Sequence, residues 1–249
     1  MSGLKRLIDL MVTLIVWIYF TIGYLLFFSP IHLFCFFFST DRPRAFQTVN
    51  SFFYRGFFRL LRGLSMGVTM DIQDEVRAIR GAVVVSNHIS YFDPLLFISL
   101  FRRHKTIVKG IFFKVPIFGW VLRCAGYIPS SGGGGISTWM VDHMKELQDH
   151  LASGGNLFVF PEGTRSRDGR IGKMHHGAFR IARGYGVPFV VLRISGTNGV
   201  LPPGRFVFHT CSDSVISVKV MGELQTGTRG DGLPISEMAG QVRALLDSP

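Results

Sequence analysis

An uncharged apolar run near the amino terminus constrains this chain more than any other feature. No Asp, Glu, Lys or Arg occurs from residue 10 to residue 40, a run of 31 residues. Roughly 20 apolar residues are enough for a helix to cross a bilayer. Ser29-Pro30 interrupts the run. Because proline disfavours continued helix, we predict a helix over 10–28, a break, and a second helix over 31–38.

The charges beside this run bear on how it meets a membrane. Lys5 and Arg6 precede it, and Arg42, Arg44, Arg55 and Arg59 follow it. Since basic residues favour the cytoplasmic side, both ends are expected there. We therefore predict a re-entrant two-helix membrane anchor. A single span is the alternative, and a cleaved signal peptide is disfavoured because the apolar core is long and lacks a small-residue cleavage site.

The next stretch, residues 46–64, combines aromatic side chains with arginines at helical spacing. It can be an amphipathic helix facing the protein core, or a basic helix in the headgroup layer, and the two fit opposite faces of one helix. We predict an N-terminal anchor with this helix over 1–64 and an α/β domain over 65–249.

Composition narrows the class of partner. The 249 residues include 27 Lys+Arg against 16 Asp+Glu, a formal charge of +11, which favours anionic partners. Mean hydropathy is +0.32 and there are 24 Phe, so membrane lipids fit better than nucleic acid, and no nucleic-acid partner is expected. The 3 cysteines are widely spaced and form no metal or redox motif.

From residue 69 onward, short apolar runs alternate with helical patterns, which is typical of an α/β sandwich. The apolar runs predict strands over 69–72, 82–86, 106–108, 127–129, 157–160, 189–194, 205–209 and 216–220. The helical patterns lie over 94–103, 116–124, 137–152, 178–185 and 235–246, and a glycine-rich loop over 130–135.

Polar residues with catalytic potential follow the strand at 82–86. His88 and Asp93 are five residues apart, a spacing that would put them on different faces of a helix, so they must occupy a turn, where the carboxylate can orient the imidazole of a general base. Asp93 also precedes Pro94, so it can instead be the N-cap of a helix with proline at its first position.

A second polar loop follows the strand at 157–160. It contains Glu162, Gly163, Thr164 and Arg165. Glycine permits close approach of a ligand, and arginine suits a phosphate group. Strand ends meet at one edge of an open α/β sheet, so we expect this loop to face His88. The basic residues beyond it are either ligands or a solvated face: Arg167, Arg170, Lys173, Arg180 and Arg183.

These motifs resemble those of a known family. Residues 87–93 resemble the first motif of the glycerolipid acyltransferases, specifically the bacterial-type 1-acylglycerol-3-phosphate acyltransferases. Residues 109–120 with 126–129 resemble the second motif, 160–166 the third and 187–190 the fourth. The resemblance implies a glycerolipid acyltransferase-like αβ sandwich behind a two-helix membrane anchor.

The resemblance also implies an activity. An acyl group would pass from acyl-CoA or acyl carrier protein to the free hydroxyl of 1-acylglycerol-3-phosphate, giving phosphatidic acid at the cytoplasmic face of the inner membrane. His88 would be the general base and Asp93 its partner, with neither cofactor nor metal. The substrate would be bound by Asn87, Lys109, Glu162, Gly163, Thr164 and Arg165.

Three departures from the family pattern leave other acceptors open. Ser130-Ser131 follow the second motif where an arginine is usual, His175-His176 replace the basic residue usual before Gly177, and Leu192 replaces a second proline. All three touch the acceptor region. An acyltransferase for another lysolipid, such as a lyso-aminolipid, is the nearest alternative; a lipid hydrolase and a non-catalytic membrane-binding protein are more distant ones.

Overall fold

The computed structural model describes residues 3–130, 143–166, 170–224, 226 and 233–248. The described chain forms two compact units. The first contains the residues up to Ile72 with Ile89–Arg102 and Ile194–Val218. The second contains Gln73–His88, Arg103–Arg193 and the residues from Lys219 onward.

Helices and strands alternate beyond the N-terminal helices. The helices are α1 Gly3–Ile18, α2 Ser29–Phe38, α3 Arg42–Leu64, α4 Asp74–Ala78, α5 Phe92–Leu100, α6 Phe118–Cys124, α7 Met144–Ala152, α8 Gly177–Tyr185, α9 Thr197–Val200 and α10 Ile235–Asp247. The strands are β1 Val68–Ile72, β2 Val83–Ser86, β3 His104–Lys109, β4 Ile128–Ser130, β5 Asn156–Val159, β6 Phe189–Ser195 and β7 Ser214–Leu224. A π-helical segment spans Tyr19–Phe28 and a 3₁₀ segment spans Gly110–Lys114.

The apolar run forms one continuous helical segment in the first unit. Gly3–Phe38 is 36 residues long and is, among the described residues, the one helix long and apolar enough to cross a membrane. The predicted break at Ser29-Pro30 is wrong, because the backbone stays helical through Phe28 and Ser29. A two-helix anchor formed by a break within the run is therefore not shown.

Hydrogen bonding explains how the helix accommodates Pro30. The segment before it is π-helical, and the Ser29 N–H donates to the Tyr24 carbonyl. The Ser29 hydroxyl donates to the Leu25 carbonyl at 2.6 Å. In a π-helix the Leu25 carbonyl would accept the N–H of residue 30, which proline lacks. The Ser29 hydroxyl bonds this carbonyl instead, so proline costs the helix little here.

The predicted strand over 205–209 is also wrong. In the first unit the Phe208 N–H donates to Thr13 Oγ1 at 2.9 Å. The N–H groups of Thr210 and Cys211 donate to Asp9 Oδ1 at 2.7 and 3.0 Å. This segment is thus fixed by polar side chains of α1 instead of a neighbouring strand.

Helix α3 has a core-facing side, as one of the two predictions for residues 46–64 required. It begins where the Asp41 carboxylate accepts the Arg44 N–H at 3.0 Å. The Arg55 Nε donates to the Ser99 carbonyl of α5 at 2.7 Å. Its buried apolar residues are Phe46, Val49, Phe53, Tyr54, Phe57, Phe58 and Leu61. The first unit also contains β1, which pairs in parallel with the first half of β7.

The second unit is built on a parallel sheet with the strand order β6-β2-β5-β3-β4. Alternate residues of β2, β5 and β6 pack against α7, α8 and α10 in one apolar core. The residues between them in these strands, such as Val84 and Phe158, are also buried. Because both faces of these strands are buried, their sequences are continuous apolar runs.

The α/β fold class is confirmed, and seven of the eight predicted strands occur within a few residues of their predicted bounds. Part of the predicted helix over 137–152 forms α7, while residues 137–142 lie outside the described chain. Most of the predicted loop over 130–135, and Arg167, lie outside it as well. The predicted boundary between residues 64 and 65 stays a prediction.

Candidate active site

His88 follows β2 in the second unit, at the carboxyl edge of the sheet. Its ring stacks on the ring of Phe160, with centroids 4.3 Å apart and planes at 21°. Phe160 comes directly after β5, which pairs with β2 through Val85 and Val159. The pairing of two strands therefore brings the two loops together, as the sequence predicted.

The Glu162 carboxylate joins these loops. Its Oε1 accepts the His88 N–H at 3.2 Å, and its Oε2 accepts the Gly172 N–H at 2.8 Å. Glu162 is only 6% exposed, whereas its partners are half-buried at His88 and exposed at Gly172. Charge-assisted bonds of this kind are among the stronger hydrogen bonds in proteins. Glu162 consequently holds the backbone of the His88 loop in place.

The turn after Glu162 requires glycine. Gly163 has φ of +66°, and a Cβ there would lie 3.1 Å from Cδ2 of His175. The Gly163 N–H donates to the Phe160 carbonyl at 3.0 Å, which closes the turn. The Ser166 N–H donates to the His88 carbonyl at 2.8 Å, so the loop makes a second backbone contact with His88 after the turn.

The other predicted binding residues of this unit lie at the same edge. Asn87 precedes His88 and is buried, and its Oδ1 accepts the Ser86 hydroxyl at 3.1 Å. Thr164 is exposed and Arg165 is half-buried in the turn. Lys109 is exposed at the end of β3, the strand on the other side of β5. The edge therefore offers an imidazole with two cationic side chains.

A family model described as Acyltransferase matches residues 67–195. The chain belongs to this acyltransferase family. The match contains β2, β5 and both of their polar loops.

The curated relatives of this acyltransferase carry a more specific name. The chain is 39% identical over 122 residues to the chloroplastic 1-acyl-sn-glycerol-3-phosphate acyltransferase BAT2 of Brassica napus, covering 49% of this chain and 35% of that protein. It is 40% identical over 123 residues to the corresponding LPAT1 of Arabidopsis thaliana, covering 49% and 34%. The chain thus matches about a third of the length of these relatives.

A solved structure is similar over nearly the whole acyltransferase. The 1-acyl-sn-glycerophosphate acyltransferase PlsC of Thermotoga maritima superposes with a TM-score of 0.68 at 25% sequence identity. The superposition covers 96% of this chain and 94% of that one. The similarity therefore includes the N-terminal helices, beyond the range of the family model.

Asp93 lies in the first unit and is fully buried. Its Oδ2 accepts the N–H groups of Ile89 and Ser90 at 2.7 and 2.8 Å, and its Oδ1 accepts the Thr197 hydroxyl at 2.6 Å. The predicted N-cap role is wrong, because α5 begins at Phe92 and Tyr91 is its N-cap. Asp93 instead fixes the turn that leads out of the His88 loop.

Three of the supporting residues were not predicted from sequence. Phe160, Gly172 and Thr197 contact His88, Glu162 and Asp93 respectively. Phe160 ends an apolar run, so its position next to the site could have been read from the strand order. Nothing in the sequence near Gly172 or Thr197 indicates a role. Among the described residues, no group of three or more His, Cys, Asp or Glu side chains could hold a metal ion.

Proposed function

We propose that this acyltransferase transfers a fatty acyl group from acyl-CoA or acyl carrier protein to the free hydroxyl of 1-acylglycerol-3-phosphate, giving phosphatidic acid. The observation that carries the proposal is the pairing of β2 with β5, which puts the His88 loop against the Glu162–Arg165 loop. The names and the identity of the relatives support the same acceptor.

His88 acts as the general base. One ring nitrogen accepts the proton of the acceptor hydroxyl while that oxygen attacks the thioester carbonyl carbon. The tetrahedral intermediate then breaks its C–S bond, and the thiolate leaves with the proton from the imidazolium. Asp93 supports the base through the turn that follows His88 in the chain, because its Oδ2 accepts the N–H groups of Ile89 and Ser90. Backbone N–H groups stabilise the oxyanion.

The loop after β5 binds the acceptor. Arg165 provides a planar pair of donors for the phosphate, and Lys109 adds a second positive charge at the same edge. Gly163 lets the acceptor approach the backbone, and Thr164 and Asn87 donate or accept hydrogen bonds. Glu162 is assigned to the glycerol of the acceptor, and its two oxygens also accept backbone N–H groups.

The acyltransferase works at a membrane surface. The 36-residue apolar helical segment supports membrane association, and the relatives' names imply lipid substrates. Basic residues at both ends of this segment support the cytoplasmic face of the inner membrane. An acyl donor that is anionic, whether CoA or carrier protein, suits the formal charge of +11.

A panel of lysolipid acceptors with one acyl-CoA donor tests the proposal. Wild type is expected to prefer 1-acylglycerol-3-phosphate, and His88→Ala to lose at least about 100-fold in rate, since general-base catalysis is typically worth about 10²–10⁴. Lys145→Ala is the control, because this exposed residue of α7 in the same unit lies outside the proposed machinery. An active His88→Ala variant would refute the assignment of the base.

The same panel separates two other functions. His175 lies against Gly163 within the acceptor loop, at a place where the sequence departs from the family pattern. This contact favours a second candidate, an acyltransferase for another lysolipid, which the panel would reveal as a different preferred acceptor. Thioester cleavage that proceeds equally without any acceptor would point to a hydrolase.

A further inference from the structure

We propose that an exposed apolar surface of the second unit is a membrane-contact surface in its own right, separate from the N-terminal helices. This loop surface consists of Ile111, Phe112, Val115, Ile117 and Phe118. It occupies the 3₁₀ segment after β3 and the start of α6. Its occupant is a bilayer that contains anionic lipid.

The exposure of these side chains is concentrated, not scattered. Ile111 is 68% exposed, Phe112 43%, Val115 43%, Ile117 51% and Phe118 40%. Among the described residues of the second unit, Met144 is the one other exposed large hydrophobic residue. Single apolar residues are common on protein surfaces, whereas a contiguous cluster marks a place of contact.

The backbone holds the loop surface in a strained and fixed conformation. Ile117 has φ of +61°, which is rare for a β-branched residue and costs free energy. A Cβ on Gly119 would overlap the Phe113 carbonyl, at 2.2 Å from its oxygen, so only glycine fits there. Arg123 donates to the same carbonyl at 2.5 Å. This conformation exposes apolar side chains to water, which is unfavourable. Burying the same side chains in a bilayer would remove that free-energy cost.

The charge around the loop surface matches anionic headgroups. No acidic residue occurs between Asp93 and Asp142 in the sequence. The lysines Lys109 and Lys114 and the arginine Arg123 are exposed within this interval. Each basic residue near an anionic surface contributes favourably to binding, and lysine can extend past an apolar layer to the phosphates. A protein partner without acidic complementarity would lack this attraction.

The loop surface lies at the edge of the sheet that carries the proposed active site. It begins directly after β3, which pairs with β5, so it lies at the same edge of the sheet as His88 and the Glu162 loop. A bilayer held against this edge places lysolipid next to the proposed base. Residues at the opposite edge, such as Ala152 just before β5, would stay in water.

Depth-dependent quenching tests the proposal without relying on catalysis. In the full chain with Cys35, Cys124 and Cys211 replaced by Ser, one cysteine at Phe112→Cys carries an environment-sensitive fluorophore, and Ala152→Cys is the matched control. Both proteins are reconstituted into vesicles of phosphatidylcholine and phosphatidylglycerol that contain spin-labelled lipid. We expect strong quenching at position 112 and little at position 152. Equally weak quenching at both positions would overturn the proposal, even if the acyltransferase is active.

Substitution of the loop surface tests its consequence, which rests on the proposed function. Replacing Ile111 and Phe112 together with Ser is expected to lower activity on vesicle-borne acceptor about tenfold or more, from the cost of withdrawing two apolar side chains from lipid. Activity on a short-chain, monomeric acceptor should not change. Equal losses on both acceptors would contradict a membrane role, whereas absence of activity in wild type would refute only the proposed function.

Discussion

Glu162 connects the His88 loop to the segment at Gly172. Its carboxylate joins the His88 N–H to the Gly172 N–H and is nearly inaccessible to water. From Gly172 the contacts continue to α10, where Arg243 donates to the carbonyls of Ile171 and Gly172 at 2.7 and 2.8 Å. The position of the proposed base therefore depends on a helix outside the family match.

Glu162→Gln is expected to damage both stability and catalysis. The glutamine amide would direct an NH₂ group at one of two part-buried N–H donors, and a donor left unsatisfied in this way costs up to about 1–3 kcal/mol. We predict a loss of this size in the free energy of unfolding and a lower kcat, measured by denaturation and by steady-state kinetics. Glu146→Gln, at an exposed position on α7, is the control. An unchanged kcat would remove Glu162 from the positioning of His88.

Arg165→Ala is expected to weaken acceptor binding. Its guanidinium is the group of the β5 loop best suited to the acceptor phosphate, and charge-assisted pairs of this kind are the stronger ones. We predict a rise in the KM for the lysolipid with little change in the KM for the acyl donor, and partial recovery in Arg165→Lys. A change confined to the donor KM would contradict the assignment.

At the scale of elements, α1 is both an apolar helix and a structural brace of the first unit. Asp9 is 2% exposed and Thr13 is fully buried, and together they hold the segment that ends at Cys211. A carboxylate within an apolar helix would be costly in lipid. The face of α1 that carries these residues is therefore directed at protein.

Asp9→Ala is expected to destabilise the first unit. Asp9 Oδ1 accepts three donors, from the Thr210 N–H, the Thr210 hydroxyl and the Cys211 N–H. Their loss would leave buried donors unsatisfied, at about 1–3 kcal/mol each before relaxation. We predict a lower thermal unfolding midpoint in detergent. Asp9→Asn keeps the Oδ1 acceptor and should lose less; equal effects of both substitutions would show that the charge, and not the acceptor, matters.

At the scale of the whole molecule, the distribution of charge governs orientation. Basic residues occur before and after the 36-residue apolar segment, and the formal charge of the chain is +11. Basic flanks are retained on the cytoplasmic side of a membrane. The proposed acyl donors are also found in the cytoplasm.

We therefore predict that Lys5→Cys and Ala152→Cys, in a background without other cysteines, react with a membrane-impermeant maleimide from the same side. Inverted membrane vesicles should be labelled at both positions, and intact cells at neither until they are permeabilised. Labelling of Lys5→Cys alone in intact cells would show that the apolar segment spans the membrane.

The sequence by itself determined the positions of most strands and the two polar loops that meet at their ends. Short apolar runs rich in Val and Phe predict strands buried on both faces, and parallel strands bring their carboxyl ends to one edge. For that reason the sequence alone predicts that His88 and the Glu162 loop lie together. The first and third of the motifs that resemble the family lie in these same loops.

Only the tertiary structure decided the features that depend on distant polar partners. The pattern at 205–209 predicts a strand, but Asp9 and Thr13, 201 and 195 residues away from their partners, accept backbone N–H groups of this region. Pro30 predicts a break in the N-terminal helix, but the π-helical segment before it and the Ser29 hydroxyl accommodate the proline. The sequence also allows Asp93 to be an N-cap, but its carboxylate oxygens accept the Thr197 hydroxyl and the N–H groups of Ile89 and Ser90. The periodicity of apolar residues indicates which side chains are buried. These three outcomes depend instead on hydrogen bonds between residues that come together only when the chain folds.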